Sequence, residues 1–531
     1  MKRTKLFLSL LCVALVATGC KGSVESPAVE DNSTKEDSQT TEVATQENSN
    51  YRPEIYSGKE YIFEEAYEDG VYSDAYVTGH YDMYKLSPET REAYPALNTA
   101  IEDSMNARKK KYDETHAEYL DSSKQLRESG EVSTFVLESD LFLRRADEKV
   151  ISFVDQDTEY AAGAHGVTRY ESYNFDVQSG KEISLEDVVS DKDAFLSDVS
   201  KKLVDKYGAD TFNDLDKRLG ETQLSDYHWA FDYSGITLYF ANDIAAYAAG
   251  VMTATIPYDS DCLNQDYALS SNEGIISKIP LYFPEDKHID VVDSCDDGIS
   301  ITPNYDPNNP DLFYIESLTI SKDGDSYTTD TLYVWDVEAY IIHNTDGSEH
   351  LMIMTTGDSD YCCSYLFSLD GKIQQVSNEY FDLGKTDMTD DYYEIIPSDP
   401  TNVAFSNRFD MLSTFRGTRY YSFESDGNFS PLEKYYKTKI SEQQDLISKV
   451  ELTVPVVDEA GEETGEEVTL PAGTHYSIIR TNGDDEVDCT IEDGRIIRFH
   501  LEDSNGEGFI DDIEINGVNA YDLFEMLWYA G

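Results

Sequence analysis

Residues 160–188 read YAAGAHGVTRYESYNFDVQSGKEISLEDV, and residues 231–258 read FDYSGITLYFANDIAAYAAGVMTATIPY. In the first stretch, apolar and aromatic residues recur between polar ones from Tyr170 to Val177, which predicts a strand. A turn at Ser179-Gly180 and a helical segment near 183–188 follow. The second stretch predicts a strand, a turn, a loop at 244–250 and a further strand. Apolar residues at every fourth position between the two stretches predict an amphipathic helix over 193–207.

The two stretches carry a family resemblance. The motifs GAHG at 163–166, SYNFD and SGKEISLEDV within 172–188, and GITLYF, AAYAAG and IPY within 235–258 resemble the DUF3298 family. We place the DUF3298-like domain at 161–280, and a DUF4163 (PdaC-like) domain, which commonly precedes it in that family, at 51–160. The resemblance implies an α+β N-terminal module. Such a pair forms the extracytoplasmic part of RsiV-like lysozyme-sensing anti-sigma factors and also lies beside the catalytic domain of PdaC-type peptidoglycan deacetylases.

The motifs that would give either relative its activity are not found in this sequence. The deacetylases use a metal-dependent domain with a TFDDG-like motif, whereas this chain has only Cys295-Asp-Asp-Gly298 and no HxxxH pair. An anti-sigma factor needs a sigma-binding segment and a spanning helix, and we find neither. Since a fold does not determine a function, the resemblance predicts a binding module.

The remainder of the chain is predicted to be β-rich. Between 281 and 445, apolar runs are separated by three Asp-Gly turns, Thr345-Asp-Gly347, Leu369-Asp-Gly371 and Ser425-Asp-Gly427, which are hairpin signals. This region is either propeller-like or a sandwich. The segment 446–531, with Pro471-Ala-Gly-Thr474 before an aromatic strand, resembles an SH3-like small β-barrel.

The N-terminal sequence predicts the cellular location of the protein. Residues 1–19 combine three basic residues with an apolar run, Leu6 to Val16, that is too short to cross a bilayer, and Cys20 follows Ala17-Thr18-Gly19. This arrangement resembles a bacterial lipoprotein signal peptide, which implies lipidation at Cys20; a secreted protein with a chance cysteine is the alternative. The polar residues 20–50 are predicted to form a disordered linker. We therefore expect an extracytoplasmic protein anchored to the cell membrane by its N-terminal lipid.

Charge limits the possible partners. The chain has 105 acidic and 41 basic residues, a net charge of −64, and such a surface repels the phosphates of nucleic acids. It attracts cationic proteins. The acidity alternatively serves only solubility.

The cysteines give no metal motif. Cys262, Cys295, Cys362, Cys363 and Cys489 remain after the N-terminal region, an odd number with no CxxC spacing, so free thiols are the expectation and their pairing is left open.

Two sets of residues are candidate sites. Gly163, His165 and Gly166 either present an imidazole to a ligand or form a connecting turn. The segment 503–514 resembles an EF-hand loop, which implies a Ca²⁺ site; the alternative is a chance match in an acidic chain, and no other cofactor is expected. Its potential ligands are Asp503, Asn505, Glu507, Asp511 and Glu514.

The leading functional hypothesis is a non-enzymatic cell-envelope lipoprotein that binds a cationic protein such as lysozyme, or peptidoglycan. The alternatives are an envelope glycan hydrolase or modifying enzyme, and a purely structural surface lipoprotein. For the enzyme, the carboxylates of Asp387, Asp390, Asp391 and Glu394 are possible acid–base groups, although a solvated acidic loop explains the same cluster.

Overall fold

A computed structural model of the chain describes residues 52–68, 71–131, 133–163, 166–240, 244, 251–269, 274–281, 299–305, 314–330, 332–357, 362–379, 381–388, 391–438, 446–503 and 513–529. The predicted signal peptide 1–19, Cys20, the predicted linker 20–50, His165, Cys295, Asp390, Asn505, Glu507 and Asp511 lie outside these residues. Strands dominate and helices are few among the described residues, so the coarse prediction of a β-rich chain is confirmed. Residues 50–531 form one compact unit.

Most of the described helical residues lie in the first half of the chain. The helices are α1 (Pro88–Ala93), α2 (Pro95–Glu128), α3 (Leu185–Val188), α4 (Lys192–Tyr207), α5 (Leu215–Glu221) and α6 (Ala520–Leu523). None of the helices within the described residues combines the length and the hydropathy needed to cross a membrane.

The strands belong to three large and two small sheets. Those up to residue 383 are β1 (Ile55–Glu68), β2 (Val71–Leu86), β3 (Phe135–Ala146), β4 (Val150–Tyr160), β5 (Val167–Asp176), β6 (His228–Phe231), β7 (Gly235–Phe240), β8 (Met252–Pro257), β9 (Ile275–Ile279), β10 (Ser300–Tyr305), β11 (Ile315–Lys322), β12 (Asp325–Thr328), β13 (Val334–His343), β14 (Glu349–Gly357), β15 (Cys362–Ser368), β16 (Gln374–Glu379) and β17 (Asp382–Leu383). Those beyond it are β18 (Lys385–Met388), β19 (Asp391–Ile396), β20 (Val403–Asp410), β21 (Thr414–Phe423), β22 (Phe429–Pro431), β23 (Tyr436–Thr438), β24 (Leu446–Ile447), β25 (Leu452–Val457), β26 (Glu463–Leu470), β27 (His475–Thr481), β28 (Glu486–Thr490), β29 (Ile496–His500), β30 (Glu502–Asp503), β31 (Ile513–Ile515) and β32 (Val518–Asn519).

The first sheet has the order β18-β19-β1-β2-β3-β4-β5. Strands β2 and β3 run parallel, as the long crossover through α1 and α2 requires. Helix α2 lies against this sheet because Leu97, Ile101 and Met105, spaced four residues apart, are all buried in the main core. The same helix buries Arg108, whose guanidinium donates to both Asp155 oxygens at 2.6 and 2.7 Å.

The other sheets are antiparallel. The second runs β10-β11-β13-β14-β15-β16, with β12 on β11 and β9 on β13. The third runs β17-β20-β21-β23-β27-β28-β29-β25-β26, with β22 and β24 attached, and therefore joins strands from both sides of residue 445. A three-stranded sheet, β6-β7-β8, packs with α3, α4 and α5 around its own core, and β30-β31-β32 forms a small sheet near the C-terminus.

The strands that close the first sheet come from far along the sequence. Ile55 of β1 lies opposite Ile396 of β19, and β9 extends the second sheet by pairing with β13. The main core accordingly contains residues from Ile55 to Phe423. This long-range pairing brings the ends of β1, β9, β13 and β19 to one place, where the candidate site lies.

Candidate functional site

A polar pocket of about 220 Å³ lies where these strands meet. Its charged side chains come from seven different strands, and they are three lysines and five carboxylates: Lys59, Lys278, Lys385, Asp82, Asp336, Glu338, Asp382 and Glu394. Tyr61 also lines it and is 76% exposed, which places this ring at the mouth. The lining therefore has a surplus of two negative charges at neutral pH, before any shift in pKa.

Each lysine of the pocket has a carboxylate partner. Lys59 Nζ lies 3.4 Å from Asp82 Oδ1. Lys278 Nζ lies 2.5 Å from Glu338 Oε1, and Lys385 Nζ lies 2.6 Å from Asp382 Oδ2. Pairing is required because a buried charge without a partner is very costly. Arg416 also donates to Asp382 at 3.0 Å, and Lys385 Nζ lies 3.7 Å from Glu394 Oε1, so Glu394 shares its lysine with Asp382. Among the described residues, Asp336 is the lining carboxylate that forms no ion pair.

Glu338 is held as an anion. Its Oε1 accepts from Lys278, and its Oε2 accepts from the Tyr340 hydroxyl at 2.7 Å. Burial alone would raise the pKa of Glu338, but the Lys278 ammonium and its hydrogen bond outweigh burial, so this pKa is lowered. Lys278 and Tyr340 lie opposite each other on β9 and β13, which fixes both partners of the carboxylate.

Glu394 is in the opposite situation. Burial and the negative charge of Glu338 raise its pKa to about 7, against the weaker attraction of Lys385, whose Nζ is 3.7 Å away. Its side chain is nevertheless 40% exposed, because the pocket admits water to the carboxylate while protein surrounds the rest of it. This carboxylate is the ionisable group of the pocket most able to respond to a ligand.

His80, Asp82 and Asp140 lie beside the pocket, with ligating atoms within 4.8 Å of one another. His80 Nε2 is 2.7 Å from Asp140 Oδ1. Burial opposes protonation of His80, but the Asp140 hydrogen bond prevails and its pKa is raised. The Lys59 ammonium lies 3.4 and 3.5 Å from the two aspartates, so it already supplies the positive charge that a metal ion would bring. We therefore assign no metal to this cluster.

Among the candidate residues of the sequence analysis, Glu394 lines the pocket, whereas the glycine-rich candidate segment lies elsewhere. Gly163 follows the end of β4 and Gly166 precedes β5, and neither lines the pocket. The left-handed backbone of this connection falls at Ala162, with φ of 55°, rather than at either glycine. His165 lies outside the described residues, so its role stays a prediction.

The predicted Ca²⁺ loop is flanked by strands. Asp503 ends β30 opposite Ile513, and Glu514 lies in β31 opposite Glu502, whereas an EF-hand loop joins two helices. Asn505, Glu507 and Asp511 lie outside the described residues, so the site itself stays a prediction.

The described cysteines form no disulfide with one another. These are Cys262, Cys362, Cys363 and Cys489. Cys362 lines the pocket, but burial raises its pKa to about 12, so at neutral pH it is a thiol and a poor nucleophile.

The sequence contains one indication of the pocket, which is a charged residue inside each of two apolar runs. Lys278 interrupts the apolar run Ile275-Ile-Ser-Lys-Ile279, and Glu338 interrupts Val337-Glu-Ala-Tyr-Ile341. Charged residues inside buried strands require partners, so both residues indicated a buried polar contact.

Comparison with known proteins gives similarity to several solved structures, among them the following two. The first is a protein from Bacteroides fragilis with 15% identity and a TM-score of 0.31, which covers 40% of this chain and 94% of its own. The second, from Pseudomonas aeruginosa, has 20% identity and a TM-score of 0.28, and covers 40% of this chain and 96% of its own. Both are DUF3298-family proteins. The sequence matches no protein-family model and no curated protein. TM-scores of this size do not establish a common fold by themselves, so the proposals below depend on the residues of the pocket.

Proposed function

We propose that this chain is a non-enzymatic, extracytoplasmic lipoprotein that binds a cationic protein such as lysozyme, or peptidoglycan, and that a cationic group of the partner enters the pocket. The observation that carries the proposal is the excess of five carboxylates over three lysines in the lining, in which Asp336 forms no ion pair among the described residues and Glu394 shares Lys385 with Asp382. An ammonium or guanidinium group supplies positive charge that balances this excess. Its donors also match a carboxylate that is open to water.

The raised pKa of Glu394 supports a cationic ligand. A carboxylate whose ionisation is disfavoured by burial and by Glu338 gains when a positive charge arrives nearby. A cation that enters the pocket therefore lowers this pKa, and by linkage it binds more tightly to the ionised form. An anionic ligand would be repelled by the same pair of carboxylates.

The acidity of the whole chain supports the same class of partner. With a net charge of −64, the protein accelerates encounter with basic proteins, but this long-range attraction is screened beyond about 8 Å at physiological salt. Attraction inside the pocket is screened much less. A comparison of binding at low and high salt therefore distinguishes general electrostatic attraction from specific binding in the pocket.

The test is lysozyme binding by calorimetry at low and high salt, with the purified full chain, Glu394→Gln and the matched control Glu451→Gln, which removes the same charge from an exposed residue outside the pocket. We expect binding that persists at high salt and weakens about tenfold in Glu394→Gln but not in the control. Loss of all binding at high salt, or equal effects of both variants, would refute the role of the pocket.

Finer features belong to the same proposal. We propose a lipid anchor on Cys20, a DUF4163-like module over 51–160 and an SH3-like barrel over 446–531. What supports the barrel is the antiparallel run β27-β28-β29-β25-β26, whose core includes Tyr476 and Phe499; this run continues through β23 into strands that precede residue 445.

A second candidate function, hydrolysis of an envelope glycan, is favoured by one observation. Glu394 and Glu338 line the same pocket with pKa values shifted in opposite directions, as the acid and the anion of a glycosidase are. In this case Glu394 would protonate the leaving oxygen while Glu338 assists the attack of water or attacks the sugar itself. Release of reducing ends from peptidoglycan by the full chain, abolished in Glu394→Gln, would establish it. The absence of turnover would leave the binding function.

A further inference from the structure

Three aromatic residues beside the pocket are presented to solvent. Trp335 is 44% exposed and Tyr333 is 56% exposed. The ring of Tyr314 is half-buried and lies 5.9 Å from the Trp335 ring, with the planes tilted by 33°. We call Tyr314, Tyr333 and Trp335 the aromatic platform. Large aromatic side chains are usually well buried, so their exposure together requires an explanation.

The backbone holds the platform in an irregular conformation. Ile315 lies opposite Val334, so Tyr314 and Trp335 are neighbours on adjacent strands. The pairing of β13 with β14 shifts between Val334 and Asp336, which makes Trp335 the extra residue of a β-bulge. Tyr333 has φ of 51°, a left-handed conformation that is unfavourable for a bulky residue. Bulges and strained residues are concentrated near binding sites, where they direct side chains.

Strand β13 connects the platform to the pocket. Asp336, the residue after Trp335, lines the pocket and is exposed, and its Oδ1 accepts from the Val337 amide at 2.8 Å. An exposed aromatic residue and a carboxylate of the pocket are therefore consecutive along β13. Sugar rings need both, because their C–H faces pack on aromatic rings while their hydroxyl and amide groups donate hydrogen bonds.

We propose that the aromatic platform is a stacking site for an uncharged glycan of the N-acetyl amino-sugar class, whose polar groups reach Asp336. This inference deepens the peptidoglycan arm of the proposed function and rests on it. A folded protein partner fits less well, because a stable protein interface buries about 800 Å² on each side, whereas the platform consists of three rings. An uncharged glycan also avoids the repulsion that the acidic chain exerts on an anionic ligand.

The experiment uses an uncharged probe, a chitin tetrasaccharide, with the purified full chain and titration calorimetry as the readout, which does not depend on the tryptophan that is replaced. We expect binding that does not change between low and high salt. Trp335→Ala should raise Kd at least tenfold, and Trp335→Phe, which keeps an aromatic face, should raise it less. The matched control is Trp528→Ala, because Trp528 is similarly exposed at 52% and lies outside the pocket lining.

The outcomes separate this inference from the cation site. Loss of tetrasaccharide binding in Trp335→Ala with lysozyme binding intact supports a glycan platform. No tetrasaccharide binding, equal losses in Trp335→Ala and Trp528→Ala, or loss of lysozyme binding alone in Trp335→Ala would overturn it; the last result would make the platform a protein contact. The proposed cation site would be refuted by a different result, namely unaltered lysozyme binding in Glu394→Gln. That result does not depend on whether the tetrasaccharide binds.

Discussion

Replacing Glu394 with Gln should make the protein more stable at neutral and alkaline pH, although the substitution removes a charged group near Lys385. The pKa of Glu394 is raised from 4.5 to about 7 by burial and by Glu338. Between these two values the folded state retains the proton that the unfolded chain has lost. The wild-type protein therefore loses stability as the pH rises through this window. The Glu394→Gln variant does not, because glutamine has no titratable proton.

The magnitude follows from the shift and from the exposure of the side chain. A change from 4.5 to about 7 corresponds to about 3 kcal/mol if the full shift acts on stability. Because 40% of the Glu394 side chain contacts water, screening reduces the expected effect to about 1 kcal/mol. Urea unfolding of the wild type, Glu394→Gln and Glu451→Gln at about pH 4.5 and about pH 8 measures it.

We expect Glu394→Gln to equal the wild type at the lower pH and to exceed it by about 1 kcal/mol at the higher pH, with Glu451→Gln close to the wild type at both. The same protonation should weaken the binding of a cation as the pH falls below about 7. An identical pH dependence of stability in all three proteins would refute the reasoning, since the Glu394 carboxylate would then ionise as it does in water.

Three further predictions concern the framework around the pocket and the platform. Arg108→Met should destabilise the fold by about 3–5 kcal/mol in urea unfolding, because its partner carboxylate would be left buried without a counter-charge; a loss below about 1 kcal/mol would contradict this. Gly79→Ala should lower Tm strongly, because an added Cβ would lie 1.7 Å from the Leu137 carbonyl oxygen, whereas Gly220→Ala in helix α5 has open space and should raise stability by up to about 1 kcal/mol. Tyr333→Asn should stabilise the protein by about 1 kcal/mol, since Asn tolerates the left-handed backbone, while weakening tetrasaccharide binding; an unchanged Tm would mean that the conformation is not strained.

Local patterns in the sequence were sufficient to predict individual helices and turns. Apolar residues at every fourth position predicted a helix over 193–207, and α4 spans Lys192–Tyr207. The Asp-Gly turns place glycines at positive φ, 84°, 78° and 85° at Gly347, Gly371 and Gly427, between consecutive strands. These features depend on a few neighbouring residues, which a sequence displays directly.

Pairings between distant strands could not be predicted. Alternation shows which face of a strand is buried but not which strand lies beside it. Nothing local indicates that Ile55 lies opposite Ile396, or that β2 and β3 are parallel neighbours. The pocket depends on those pairings, so its charged residues appeared in the sequence as unrelated positions. Glu394 was named as one of four possible acid–base carboxylates, with a solvated acidic loop as the alternative, whereas the structure places it in β19, against Lys385 and near Glu338.

The arrangement of charge along β13 connects the two proposed sites. Glu338 accepts hydrogen bonds from Lys278 and Tyr340, so it stabilises the contact between β9 and β13. Asp336, two residues earlier, carries no such partner among the contacts of the described residues and directly follows Trp335. A peptidoglycan strand has sugar rings and peptide branches close together. A chain that stacks a sugar on Trp335 would therefore bring the cationic groups of a neighbouring branch toward Asp336 and Glu394, so that occupancy of the platform should strengthen binding in the pocket.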